Sequence, residues 1–190
     1  MSITAIKNHI IFRFVDAVNT RGEFEEAVSE GGLYIKGGFD KSAKMPRWAT
    51  VLPVGTACEH VKAGDTILIP ALRWTEGVKH NDQFFWKTDE TQVVGYKRGG
   101  DFTPINKHVL FKPTKELVSQ RSSGLVVISH QSDDTTHGTV VFMDNECEPT
   151  LAGSTIYYDS SNFFDDFTVD GIELSFIKED NIWLYVPAGE

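Results

Sequence analysis

The sequence predicts an all-β protein made of two tandem copies of one small unit, and three observations support this prediction. Residues 58–69 reappear as residues 147–158, at an offset of 89 (147 − 58), with six of the twelve positions identical. The apolar runs are short and rich in β-branched or aromatic residues, as in small barrels and sandwiches. A repeat of this length indicates the architecture before any local pattern does. Further pairs of segments follow in the same order: 6–12 with 105–111, 32–35 with 124–127, and 90–96 with 179–185.

Short strands are predicted along the chain, and helix is scarce. Asp170-Gly171 is the pair expected in a two-residue hairpin, because glycine tolerates the positive φ of a type I′ turn. Residues 20–29 hold several glutamates and few apolar positions, so we expect a solvated loop or one short turn there. The predicted strand cores are residues 10–15, 50–52, 66–69, 109–112, 139–142 and 172–177.

The 190 residues divide into a first unit at 1–98, a linker at 99–102 and a second unit at 103–190. The net charge of −9 argues against a nucleic-acid partner, because phosphate binding needs clustered Lys and Arg. No run of about 18 apolar residues is present, which argues against a membrane span. The N-terminus lacks a basic start followed by an apolar run, so the cytoplasm is the expected location.

The order of motifs in each half resembles the GroES-type co-chaperonins, small β-barrels that cap a chaperonin ring. In that family a strand leads into a mobile loop with an aliphatic tripeptide and then into a strand that starts with glycine. The first half supplies a Gly-Gly pair and tripeptide at 31–35, a turn at 61–67 and a last strand at 90–96. The second half supplies a strand at 105–113, a tripeptide at 125–127 and a strand from Gly138. The resemblance covers nearly the whole chain and implies two tandem GroES-like antiparallel β-barrels.

The resemblance also implies a function and a binding site. It implies a non-enzymatic cap that forms a homo-oligomeric ring and binds a chaperonin ring. The alternative for each tripeptide is an ordinary buried strand. By the resemblance, the chaperonin would be bound by the loop tripeptides Leu33, Tyr34, Ile35 and Leu125, Val126, Val127.

Two departures from the bacterial pattern leave a second function open. The first loop, at 16–30, is long and acidic, and the hairpins at 55–60 and 144–149 are short, which resembles phage-encoded co-chaperonins. The fusion of two copies resembles the double-domain co-chaperonins of plastids. A divergent relative of this kind is also compatible with a virion structural protein, such as a capsid decoration.

The sequence offers no catalytic, cofactor or metal motif. It has no His-Glu-x-x-His, no Gly-x-Ser-x-Gly and no Gly-rich phosphate loop, so we expect neither enzymatic activity nor a cofactor. Cys58 and Cys147 occupy the same place in the two copies, and we expect free thiols rather than a disulfide framework. Without partner ligands in a local motif, they also make a poor zinc site.

The short linker predicts how the two units meet. In the family the last strand of one subunit pairs with the first strand of its neighbour, which hides both edges. Here residues 92–96 should lie beside residues 105–111 of the same chain. The remaining segments, 6–12 and 182–186, would then be free to pair between chains.

Overall fold

The computed structural model describes residues 3–25, 45–114, 135–159 and 167–189. Within these residues the protein is all-β, with two antiparallel sheets, short 3-10 turns and no α-helix. The all-β prediction is therefore confirmed.

The first sheet has seven strands in the order β4-β5-β1-β2-β3-β6-β7. Buried and exposed side chains alternate in β1 and through the first half of β2, as expected for strands with one face on a core. Its strands are β1 (His9–Phe14), β2 (Arg47–Val54), β3 (Thr66–Ile69), β4 (Val78–His80), β5 (Gln83–Asp89), β6 (Gly95–Arg98) and β7 (Asp101–Pro104).

The second sheet repeats the order of the first six strands. It runs β11-β12-β8-β9-β10-β13, which matches β4-β5-β1-β2-β3-β6 strand for strand. Its strands are β8 (His108–Pro113), β9 (Thr135–Met143), β10 (Thr155–Asp159), β11 (Phe167–Val169), β12 (Ile172–Lys178) and β13 (Ile182–Val186).

The two sheets are open among the residues that the structure describes. The outermost strands of each sheet, β4 and β7 in one and β11 and β13 in the other, do not pair with each other, so neither sheet closes into a barrel. One reason is local: β4 and β11 are only three residues long and pair only with β5 and β12. The sequence prediction of two closed barrels thus goes further than the observed sheets.

Two-residue turns with positive φ join strands that pair directly with each other. The predicted hairpin at Asp170 and Gly171 is present, with φ of 50° and 81°. Asn81 and Asp82 make the equivalent turn between β4 and β5. Gly99 and Gly100, with φ of 66° and 105°, join β6 to β7. Part of the predicted linker is therefore a strand, because Asp101 and Phe102 belong to β7.

In the part of the chain that the structure describes, the buried apolar residues form three clusters, one of them between the units. A first core lies in the first unit and also includes Ile105 of the second, and a second core lies within the second unit. Between them lies a junction core to which both units contribute; its fully or largely buried members are Leu68, Val94, Phe102, Leu110, Phe167, Val169, Leu174 and Phe176. Apolar burial therefore continues across the boundary between the repeats.

The repeated glutamate has a structural role in each unit. Glu90 accepts backbone N–H hydrogen bonds from Glu59, His60 and Val61, at 2.8, 2.9 and 2.8 Å. The equivalent Glu179 accepts one such bond, from Glu148, at 2.6 Å. A carboxylate that binds backbone donors keeps an irregular turn paired, which explains why the sequence repeats it.

Candidate functional site

The six predicted partner-binding residues lie outside the described residues. The segment with Leu33, Tyr34 and Ile35 connects β1 to β2, and the segment with Leu125, Val126 and Val127 connects β8 to β9. Since β8 and β9 are the equivalents of β1 and β2, both tripeptides belong to the same connection of the repeated unit. Their role in binding stays a prediction.

The base of the first connection is held to the sheet by Arg47. This residue is buried, and its Nη1 donates a hydrogen bond of 2.8 Å to Asp16 Oδ2. Its guanidinium also lies 4.1 Å from the centre of the Phe24 ring, a cation–π distance. Val15 N donates to Trp48 O at 3.0 Å. The chain on both sides of the connection is thus fixed at one place.

An aromatic cluster lies under this base. Phe14 is its centre, with edge-to-face contacts to Phe12, Phe24, Trp74 and Trp86 at centroid distances of 5.1, 4.9, 5.0 and 4.8 Å. Such contacts stabilise beyond their buried area by about 0.5–1.5 kcal/mol each. The start of the first connection is therefore part of the packed structure.

A solvated loop or one short turn was expected at residues 20–29, of which the structure describes 20–25, and residues 18–24 form an ordered turn. Val18 and Phe24 make an isolated antiparallel bridge. Between them, Asn19 Oδ1 accepts hydrogen bonds from the backbone N–H groups of Arg21 and Glu23, at 2.8 and 3.1 Å. An asparagine side chain often organises a turn in this way.

The base of the second connection borders a groove. Thr114 N donates to His137 O at 3.0 Å, which holds the two ends of the connection together. Gly138 allows the close approach of β8, because a Cβ there would lie 2.7 Å from Lys112 O. The groove has a volume of about 690 Å³ and is lined by Lys112, Pro113, Thr114, Thr139, Gly171, Ile172 and Glu173.

The two units meet through β6 and β7, which corrects the predicted pairing. We expected residues 92–96 to pair with 105–111, but Gly95–Arg98 pairs with Asp101–Pro104. The Gly99-Gly100 turn forces this result, because a two-residue hairpin pairs the strands that flank it directly. Of the backbone hydrogen bonds, the one from Ile105 N to Val94 O, at 2.9 Å, extends toward the expected partner.

Side chains strengthen this junction. Asn106 Nδ2 donates to Glu90 O and Val93 O, each at 2.8 Å. Lys97 forms an ion pair with Asp170 on the β11–β12 turn of the second unit. The junction therefore combines strand pairing, a shared core and polar contacts between the units.

At the other end of the chain, the equivalent strand is exposed. β13 pairs with β10 on one side and has no strand on the other side within the described residues. Trp183 is 59% exposed and Leu184 is 54% exposed, and Tyr185 and Val186 are also exposed. The predicted edge at 182–186 is thus present, but the sequence pattern did not indicate how much apolar surface it carries.

The other predicted free edge, residues 6–12, is not free. β1 lies between β2 and β5, so its backbone is already paired on both sides. The segment that precedes β1 is the one that exposes apolar side chains. Ile3 and Ile6 are exposed there, at 37% and 63%, while Ala5 is buried.

Away from the two connections, burial shifts the pKa of one histidine and of both cysteines. His108 is buried, its Nδ1 donates to Ile105 O at 2.8 Å, and burial lowers its pKa to about 4. Cys58 and Cys147 are free thiols, and burial raises the pKa of both, to about 11 for Cys147. Within the described part of the chain, no three His, Cys, Asp or Glu side chains converge so as to hold a metal ion. In those residues, too, no helix has the length and hydrophobicity needed to cross a membrane.

Two comparisons with known proteins found no match. No protein-family model matches the chain. No curated protein matches it significantly either.

Proposed function

We propose that this protein is a non-enzymatic, co-chaperonin-like cap that acts in the cytoplasm as a homo-oligomeric ring. In this proposal each unit is a variant of the GroES-like barrel. The binding residues for the chaperonin ring are Leu33, Tyr34 and Ile35 in the first unit and Leu125, Val126 and Val127 in the second.

One observation carries the proposal: both tripeptides belong to the same connection of a duplicated sheet. β1–β2 and β8–β9 are equivalent strand pairs, and each pair is joined by a long segment that contains an apolar tripeptide. A pair of loops presented from equivalent strands suits a partner that offers several identical grooves. Each loop then needs only weak affinity, because further loops bind at high effective concentration once the first is bound.

A second function, as a virion structural protein, is favoured by the base of the first connection. Arg47, Asp16 and the Phe14 aromatic cluster tie this base firmly to the sheet. A connection held in this way suits a fixed contact with a lattice neighbour better than a loop that folds on binding. The exposed strand β13 supplies an edge for such a lattice as well.

Co-elution with a purified chaperonin ring, in the presence and absence of ADP, tests the proposed function. The parent chain should bind, and the Val126→Ser/Val127→Ser variant should lose binding by orders of magnitude. A loss of about 1.5 kcal/mol for each Val side chain is multiplied around a ring. The Leu33→Ser/Ile35→Ser variant shows whether the first tripeptide binds as well.

Two results would exclude the proposed co-chaperonin function. One is a parent chain that binds no chaperonin ring, and the other is a Val126→Ser/Val127→Ser variant that binds like the parent. Val141→Ser is the matched control, because Val141 is an exposed valine on strand β9 of the same unit. Either exclusion leaves the virion protein as the function to test, by looking for the chain in purified particles.

A further inference from the structure

We propose that chains associate head to tail, with β13 of one chain pairing with residues 3–6 of a second copy, and that this contact reproduces the junction between the two units. The inference names the interface of the proposed oligomer but needs no chaperonin. It depends on two pairs of complementary surfaces whose counterparts are already in contact inside the chain.

The first pair involves Trp183 and the face that would cover it. Its internal counterpart, Val94, is fully buried in the junction core. The junction core that contains Val94 also contains Phe102 of the predicted linker and, from the second unit, Leu110, Phe167 and Leu174. Their counterparts in the first unit line an open apolar groove of about 380 Å³; they are Ile3, Ile11, Val78 and Phe85, joined there by Thr75, His80, Trp86 and Lys87.

These counterparts are fixed by strand register as well as by sequence. Val78 pairs with Phe85 between β4 and β5, as Phe167 pairs with Leu174 between β11 and β12. Likewise Ile67 pairs with Tyr96, as Ile156 pairs with Tyr185. The groove is therefore the same face that the second unit presents to the first.

Side-chain sizes are exchanged between the internal and the proposed contact. On the strand, Val94 and Gly95 are replaced by the larger Trp183 and Leu184. On the facing surface, Phe167 is replaced by the smaller Val78 and Phe102 by the smaller Ile3, whereas Leu174 is replaced by the larger Phe85. The space for the larger Trp183 therefore lies on the Val78 and Ile3 side of the groove, as close packing needs.

The exchange also predicts a wider strand separation between chains. At Gly95 a Cβ would lie 2.6 Å from Thr103 O, so the internal strands approach closely only because glycine is present. Leu184 has that Cβ. The strands must therefore lie further apart, and the Trp183 side chain fills the added space.

The second pair of surfaces involves Ile6. Its internal counterpart, Ile105, is 2% exposed and packs into the first core together with Val61 and Val93. Ile6 is instead 63% exposed. A second groove, of about 380 Å³, lies beside β13, and Ile6 of the next chain would fill it in this contact. The groove is lined by Glu148, Leu151, Glu179, Ile182, Trp183, Leu184 and Tyr185.

The partner that fits both surfaces at once is a second copy of this chain. Each chain carries one copy of each groove and one copy of each side chain, at opposite ends of the repeat. A contact between different surfaces of two copies is heterologous, and it produces a ring when the rotation closes and a filament when it does not. The Lys97–Asp170 ion pair of the internal junction is replaced by Val186 and Asn81, so assembly should depend only weakly on salt.

Cysteine cross-linking tests the register. Tyr96 lies opposite Thr103, so Tyr185 should lie opposite Thr4 of the next chain. The Thr4→Cys/Tyr185→Cys variant should form a ladder of covalent oligomers under mild oxidation. Thr4→Cys/Val186→Cys is the matched control and should cross-link poorly, because neighbouring residues of a strand point to opposite faces.

Two cross-linking outcomes would overturn the proposal. If Tyr185→Cys alone gives a covalent dimer, β13 pairs with its own copy in a symmetric contact. If no variant cross-links and the parent sediments as a single chain at all concentrations, the surfaces do not meet.

Substitutions at the two surfaces test the packing. Ile6→Ser and Trp183→Ala should each weaken association roughly tenfold or more, as expected for side chains at the centre of an interface. Val15→Ser is the control for Ile6, since Val15 is similarly exposed, at 60%, and lines neither groove. Unchanged association in both test variants would refute the interface. Sedimentation uses no chaperonin, so its outcome is independent of the binding test for the proposed function.

Discussion

The guanidinium of Arg98 binds the carboxylate of Asp65 through two hydrogen bonds, Nε to Oδ1 at 2.9 Å and Nη2 to Oδ2 at 2.7 Å. Arg98 Nη2 also donates to His60 O at 2.8 Å, and Lys62 N donates to Asp65 Oδ2 at 2.7 Å. Asp65 is buried at the turn before β3, whereas Arg98 ends β6. The pair therefore holds the strand that leads into the second unit against the turn of the first.

The first prediction concerns Asp65 and acid. Burial by itself would raise the pKa of Asp65, but hydrogen bonds from Arg98 and Lys62 outweigh it and lower the pKa below 3.8. The pair thus stabilises the fold above the ordinary aspartate pKa, and this stabilisation is lost as the pH falls through the lowered value. Asp65→Asn should reduce the free energy of unfolding at pH 7 and have less effect near pH 3, as measured by urea denaturation. Asp82→Asn, at an exposed carboxylate, is the control.

The second prediction compares the two repeated glutamates. Glu90→Ala leaves three backbone N–H groups without their acceptor, so unfolding should become easier by roughly 3 kcal/mol. Glu179→Ala removes one such bond and should cost about 1 kcal/mol. Chemical denaturation of both variants checks the difference. Equal effects would mean that the extra hydrogen bonds of Glu90 contribute nothing.

The third prediction concerns His108. Burial lowers its pKa from 6.5 to about 4, so the folded state holds the ring neutral while the unfolded chain takes up a proton below about pH 6.5. Stability from this group is present above pH 6.5 and falls between pH 6.5 and about 4, by roughly 3 kcal/mol. His108→Gln should flatten this part of the curve of unfolding free energy against pH. A variant that keeps the full slope would contradict the assignment.

The fourth prediction concerns the two thiols. Cys147 is buried and its pKa is raised to about 11, whereas Cys58 is only partly buried. Since the thiolate is the reactive form, Cys58 should react with a disulfide reagent well before Cys147 in the native protein. The Cys58→Ala and Cys147→Ala variants identify each phase of the reaction. Faster labelling of Cys147 would show that the second core opens readily.

The repeat predicted that the two halves fold alike, and the two sheets do share the order of six strands, because two copies of one sequence pattern fold by the same registers. The Asp170-Gly171 hairpin could also be predicted, since its turn chemistry is local. The junction could not be predicted in the same way. Phe102 lies between Gly99-Gly100 and Pro104, so it resembles part of a linker, and only its packing in the junction core, against Trp48 and Phe142, makes it a core residue.

The candidate site, too, could be predicted from the sequence only in part. The tripeptides Leu33–Tyr34–Ile35 and Leu125–Val126–Val127 could be found from the repeat, but they lie outside the described residues. The exposure of Trp183 could not be read from the sequence. The run Ile182–Val186 is apolar throughout and lacks the alternation that would separate a buried face from an exposed one. Its exposure depends on which strand lies beside it.

The Gly99-Gly100 hairpin limits the number of β-units that an assembly of this chain can contain. In the proposed head-to-tail assembly it makes every second junction part of a single polypeptide, so a closed ring of this chain would contain an even number of β-units. Dilution would then break only the junctions between chains, and units would leave in pairs. A target with odd rotational symmetry cannot give every unit an equivalent docking place. The first and second copies of the repeat would then have to make different contacts with such a target.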